Sequence, residues 1–359
     1  MTDIFTWLLL LVPASALSAY LTSDDSLPTF IIATLAVVPL AEWIRRGTEH
    51  LALRAGPAIG GLLNVSFGNT AELILALFVL AAGKGDVVKA QLTGAIIGNS
   101  LLGLGVAIIV GSWGRDKQTF NRAHAGQLAS LLVLSTIGLT LPALFDYAMR
   151  GENASGRLIR DEHLSLAVSA VLILVYIANL VYTLITHRDV FAFAEDDAHG
   201  DDETHVPWPI WKALAVLATA TAVTAFEAEM ISGALESTAA QLGLSEFFLG
   251  IILLAVIGNA AEYVSAAYFA RKNQMGLAVS ITVGSTIQIS LLVAPVLVIV
   301  SALMGQPMNL VFSSPLELIA IGAVVFSISA IAQDGETTWF EGVLLLAIYV
   351  LFALAFYFV

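Results

Sequence analysis

The sequence predicts an all-α polytopic membrane protein of about eleven transmembrane helices. Three observations predict it. The 359 residues are 58% hydrophobic and 12% charged, with a mean hydropathy of +0.89, too apolar to clothe a water-soluble domain. The apolar residues gather into blocks long enough to cross a bilayer. All six tryptophans (Trp7, Trp43, Trp113, Trp208, Trp211 and Trp339) fall near block ends or in loops, the depth that indole rings favour. Helices are expected because a segment in lipid must satisfy its own backbone hydrogen bonds. The short alternating strands of a membrane barrel are not seen.

The first block, 4–22, is too long and too weakly basic at its start for a cleaved leader, and "ALSAY" at 16–20 is a poor cleavage site. It reads as a retained helix within an extra N-terminal segment, 1–26. Asp24 and Asp25 before "SLP" mark a loop and a helix start. Blocks 27–53, 58–82, 87–112, 124–146 and 163–186 make a first group of five, residues 27–186. The acidic run "EDDAHGDDE" at 195–203 lies in a linker, 187–207. With His199 and His205 it reads either as a calcium or pH sensor or as a plain solvated linker, the more common use of such runs. Blocks 208–236, 247–270, 276–304, 310–332 and 337–359 make a second group of five, residues 208–359.

Charge orients the chain. With the N-terminus in the cytoplasm, ten of the 15 basic residues fall inside and five outside, so the positive-inside rule favours N-in and C-out. A prokaryotic inner membrane is the expected location. Much of the net charge of −13 lies in loops, and nothing resembles a basic nucleic-acid patch. The chain has no cysteine, which excludes disulfides and thiolate metal sites.

The two groups of five repeat each other. Gly68, Asn69 and Glu72 in "GNTAEL" match Gly258, Asn259 and Glu262 in "GNAAEY" at an offset of 190. Upstream, Glu42 and Glu49 match Glu229 and Glu236 at 187; downstream, "GNS" at 98–100 matches "GST" at 284–286 at 186. Five is odd, so the second group enters the membrane from the opposite side. The expected layout is an extra N-terminal helix plus two inverted five-helix repeats, the plan of many secondary transporters, with the site at the midplane where repeats meet.

Glu72 falls about midway along its block and Glu262 somewhat past the middle of its own. An ionisable group at that depth costs at least ~2.5 kcal/mol. No Lys or Arg lies in the central part of either block. Two such carboxylates brought together repel, and burial and repulsion both raise their proton affinity. A divalent cation reverses this by favouring the ionised form. The pair then holds protons or a metal ion, each displacing the other, which is the physical core of a proton-coupled cation exchanger. Asn69 and Asn259 precede the glutamates by three residues and share their helix face. Gly68 and Gly258 weaken the helix there, and a break would turn carbonyls toward an ion. Asn99, Ser100, Ser285, Thr286 and Gln288 follow further glycines and are expected to line the site. Oxygen ligands without soft donors favour a hard cation. Glu42 and Glu49, like Glu229 and Glu236, are seven apart on one face. They read either as a proton or access path or as interfacial charge aided by Arg45 and Arg46.

"GNTAEL" and "GNAAEY", followed by "GNSLLGLG" and "GSTIQISLL", resemble the two alpha-repeats of the calcium/cation antiporter superfamily, most nearly its calcium/proton exchanger (CAX) branch. The resemblance extends to "GGLLNVSFGN", "LSEFFLGIILLAVIGN" and the acidic linker, hence to most of the chain. It implies antiport of Ca2+ against H+, with Glu72 and Glu262 binding the ion and exchanging it for protons. Ca2+ is then substrate and H+ counter-ion, with no cofactor, a lipid bilayer as surroundings and no obligatory protein partner. Sodium/calcium exchangers of the superfamily carry Ser/Thr-rich motifs, often with Pro before the Glu; Asn-Thr-Ala-Glu and Asn-Ala-Ala-Glu depart from that, which disfavours sodium. Antiport of sodium or another cation stays the alternative. An intramembrane enzyme is less favoured, since there is no H-E-x-x-H and no Cys nucleophile; so is a wide passive channel, which buried titratable acids suit less well.

Overall fold

The computed structural model describes residues 2–22, 25–55, 63, 67–149, 154–186, 207–312 and 314–359. Asp24, most of "GGLLNVSFGN" and the acidic linker with His199 and His205 lie outside the described residues.

The described chain is helical apart from one two-residue ladder, in which Gln118 pairs with Thr337 and Thr119 with Glu336, antiparallel. Among the described residues eight spans are long and apolar enough to cross a membrane, with Ile4–Leu21 taken as one. Glu246–Gly258 and Ala260–Arg271 add a ninth if this pair, bent by 49°, is one broken span. Thr70–Ala81 and Pro315–Ile331 are shorter apolar helices. The first expected block is itself interrupted. Thr2–Leu8 and Leu11–Leu21 are separate helices, because Pro13 has no N–H to return to the Leu9 carbonyl.

Contacts divide the chain into two compact units, and each draws on both halves of the sequence. One comprises 1–91, 201–261 and residue 359; the other comprises 92–200 and 262–358.

In the first unit, Leu27–Ala55 lies along Ile210–Leu242, the longest helix. Gly47 makes the approach close: a Cβ there would stand 3.3 Å from the Ala213 carbonyl oxygen. Trp208 stacks on His50 at 4.2 Å and on Trp43 at 6.1 Å, fixing the start of the longest helix against the end of the other. Thr70–Ala81 packs on the same long helix, where Ser232 donates to the Phe78 carbonyl. Leu11–Leu21 is held to it by Ser15 Oγ, 2.8 Å from Glu227 Oε1.

In the second unit, the end of Gly85–Gly111 crosses Trp339–Tyr357 at Gly105 and Gly342, where a Cβ at 105 would meet the Gly342 oxygen at 3.0 Å. Thr93 donates to Glu317 Oε2 at 2.9 Å, and Glu317 Oε1 accepts from the Ser314 N–H. Glu317 thus caps the start of Pro315–Ile331 while fully buried, the reciprocal arrangement of a capping box.

Candidate functional site

The first Gly-Asn motif forms the turn before a helix, and the second interrupts one. Gly68 and Asn69 form a turn, after which Thr70 opens a helix with Glu72 in its first turn. In the second half the chain turns at Asn259, with φ −101° and ψ 8°, between the two arms of the bent pair. A first-turn carboxylate stabilises a helix start through the macrodipole, so the position of each Glu within its motif serves the break as well as the chemistry.

Within the first unit the two motifs touch. Glu72 is only 5% exposed, and it lies against Gly258: a Cβ at 258 would stand 3.2 Å from Glu72 Cγ and 4.0 Å from Oε1. The glycine is therefore a seat for the glutamate side chain. Asn69 and Asn259 are also buried. The Asn259 amide nitrogen donates to the Ala255 carbonyl at 2.8 Å, which sets the plane of the amide and leaves Oδ1 on the opposite side.

Within the second unit, Gly85–Gly111 widens into a π turn over Gly98–Gly103, starting at the "GNS" motif. Such turns gather at functional positions because they redirect side chains and loosen the backbone ladder. Asn99 donates to Ser285 Oγ at 2.9 Å, and the hydroxyls of Ser100 and Thr286 lie 2.9 Å apart. All four residues are buried. Both pairs span 186 residues, the offset of the downstream motif. Gln288 is half-buried at the end of Met275–Gln288, and Glu262 is half-buried in Ala260–Arg271. Tyr263, which the sequence reading passed over, lays its hydroxyl on Gly98 and its ring on Gly103. Gly284 differs from Gly98, since nothing lies within 4 Å of the Cβ position there.

The remaining acids have other settings. Glu42 is 4% exposed and accepts from Arg45 at 2.8 Å and Arg46 at 2.7 Å; Arg45 also reaches the exposed Glu49 at 3.0 Å. This network favours the interfacial-charge reading of that pair. Glu229 and Glu236 are exposed, and Glu236 lies 3.9 Å from Lys84, which bonds Glu246 at 2.8 Å. The fully buried acid of the longest helix is instead Glu227. Its repeat-equivalent position holds Leu40, so no repeat signal marked it. Among the described residues no three His, Asp or Glu side chains cluster as a metal site. Amide, hydroxyl and backbone oxygens would have to complete the coordination of an ion held by carboxylates.

Long apolar helices with buried Asn side chains at their turns and acids in the helix turns that follow are the architecture of a polytopic membrane transporter. The chain belongs to the sodium/calcium exchanger protein family, whose model matches residues 26–185 and 212–358. It is 41% identical over 365 residues to a Ca2+/H+ antiporter of Aphanothece halophytica, covering 99% of this chain and 96% of the relative. It is 42% identical over 329 residues to the Ca2+/H+ antiporter ChaA of Bacillus subtilis, covering 91% of each. The solved structure of native YfkE superposes with a TM-score of 0.83 at 35% identity, covering 99% of this chain and all of that one. A structure of the H+/Ca2+ exchanger CAX, at 14% identity and a TM-score of 0.68, shares the fold.

Proposed function

We propose that the protein is a secondary active antiporter that exchanges Ca2+ for H+. The observation that carries this reading is Glu72, a buried carboxylate at a helix break, seated on the glycine of the second copy of its own motif. A carboxylate in such a place carries either a proton or a hard cation, because the bare ion is too costly in an apolar interior. The full-length relatives named as Ca2+/H+ antiporters support the same two ions.

In this reading Glu72 and Glu262 are the two exchanging carboxylates, and the repeat in the sequence is the reason for pairing them. Asn69 and Asn259 add amide oxygens. Asn99, Ser100, Ser285, Thr286 and Gln288 line the path, with Glu229 and Glu236 as acids of an access route. Calcium entry releases protons and protonation releases calcium, so one occupancy excludes the other.

The layout we infer has eleven transmembrane helices, the first extra and the rest two inverted repeats, with the N-terminus cytoplasmic and the C-terminus outside a prokaryotic inner membrane. The Asn99–Ser285 and Ser100–Thr286 pairs support it. Equivalent residues of two copies meet each other where a two-fold axis passes, and both pairs fall at the repeat offset. Inverted repeats provide alternating access, as one side closes while its counterpart opens.

Calcium uptake into proteoliposomes tests the reading. An imposed proton gradient should drive uptake and a sodium gradient should not. Uptake driven by sodium alone would make the protein a sodium-coupled exchanger. Flux independent of either gradient would make it a channel.

A further inference from the structure

A cavity of about 500 Å3 opens on the longest helix, lined by none of the residues assigned to ion exchange. One face of Ile210–Leu242, from Trp211 and Lys212 to Val223, forms its base. Trp43 of Leu27–Ala55 and Leu9 and Pro13 of the N-terminal segment form its walls. The break at Leu9–Leu10, which follows from the proline, separates the two short N-terminal helices beside the long one.

Three features specify an occupant. The first is length. From Trp211 to Val223 the helix rises twelve steps, about 18 Å at ~1.5 Å per residue, close to one leaflet of a hydrocarbon core ~30 Å thick. The second is polarity, since the lining away from the tryptophan and lysine end is aliphatic apart from Thr219. The third is charge. Lys212 Nζ lies over the Trp208 ring, 4.4 Å from its centroid, and meets no carboxylate among the described residues. Arg54 donates to the carbonyl of the same Trp208, whereas Arg45 and Arg46 are offset by Glu42 and Glu49. Among the described residues the uncompensated charge at this end is positive. Trp43 adds a buried indole N–H with no acceptor among the described residues, a donor suited to an ester or phosphate oxygen at the interface.

We propose that this cavity binds one anionic phospholipid, with an acyl chain along the groove and the headgroup phosphate on Lys212. The groove admits any chain, and the lysine selects the charge.

Brominated acyl chains quench nearby indoles, and Trp43 and Trp211 both line the groove. Delipidated protein in neutral detergent is titrated with brominated phosphatidylglycerol and, separately, brominated phosphatidylcholine. Phosphatidylglycerol should quench at the lower concentration, and raised salt should narrow the difference. Lys212→Gln should weaken phosphatidylglycerol about fivefold, the effect of ~1 kcal/mol from one basic group at an anionic surface, and leave phosphatidylcholine unchanged. Lys212→Arg should keep the preference, and Ala215→Phe, which fills the groove, should weaken both lipids. Inorganic phosphate should relieve none of the quenching. Equal titration by the two lipids in the wild type, or an undiminished preference in Lys212→Gln, overturns the proposal. Competition by free phosphate does so too, by showing an anion site that needs no chain.

Discussion

Replacing Gly258 by Ala tests the seat of Glu72 with the smallest possible change. Gly258 is not among the glycines with positive φ, and it ends the short helix Ala255–Gly258. On backbone grounds alone alanine would be tolerated, or stabilising by about 0.5–1 kcal/mol. Any loss must therefore come from contact. The added methyl would stand 3.2 Å from Glu72 Cγ, where carbon atoms prefer about 3.5–4.0 Å. Glu72 must then retreat by a few tenths of an ångström or leave its rotamer, at a cost of about 0.5–1.5 kcal/mol. If Glu72 holds calcium as proposed, that cost falls on its ion-holding position, and affinity should drop about two- to twelvefold, using ~1.4 kcal/mol per factor of ten. Gly258→Val, with more bulk on the same side, should drop it further. Calcium titration calorimetry on purified protein reads the affinity, and thermal melting in detergent controls for folding. Wild-type affinity in Gly258→Ala, with an unchanged melting temperature, would refute the idea that this contact positions the ligand.

Glu72→Gln and Glu262→Gln should each nearly abolish proton-driven calcium uptake in proteoliposomes while leaving the melting profile intact, since each removes one charged ligand and one exchangeable proton but keeps the shape; wild-type rates in either would end the paired-carboxylate reading. Calcium affinity should fall as pH is lowered, because the carboxylates must give up protons to bind the ion. Calorimetry in buffers of different ionisation enthalpy should accordingly show a buffer-dependent heat, and a heat independent of buffer would rule out direct competition. Thr93→Val removes the donor to the buried Glu317 and should cost about 1–3 kcal/mol, seen as a lower melting temperature; Thr93→Ser keeps the hydroxyl and should melt with the wild type.

The parts of the site legible in the sequence were those written twice. Two copies of Gly-Asn-x-x-Glu marked the turn before one helix and the break in another, because glycine and asparagine are weak helix formers, although Gly98 and Asn99 stay within a continuous span. The repeat also singled out Asn99, Ser100, Ser285 and Thr286, which pair across 186 residues. Features written once were not legible. Glu227 has Leu40 at its equivalent position, and only packing brings Ser15 beside it. Tyr263 stands opposite Leu73 in the repeat and reads as ordinary apolar filling until its ring is found on Gly98 and Gly103. Repetition was also a poor guide to environment. Glu42 and Glu229 match in the alignment, yet Glu42 is buried under two arginines and Glu229 is exposed. The compact units are a different division from the repeats, each drawing on both halves of the sequence. The register of a repeat is local information, and the grouping of helices follows from long-range packing.

What separates the acids is the chemistry of their neighbours. Glu42 already holds two guanidinium groups, and a cation arriving there would have to displace both. Glu317 has one oxygen on the Ser314 N–H and the other on Thr93; moving it would unmake a helix cap as well as a buried hydrogen bond. Glu227 is held to the N-terminal helix through Ser15 and lies in no Gly-Asn motif. Glu72, like Glu317, lies in the first turn of a helix, where the dipole favours its charge, but beside a glycine that leaves room for its methylenes. In the proposed exchange Glu72 passes between protonated and ion-holding forms at every turnover, and its contact with Gly258 is the place where a change in that side chain's position is felt first.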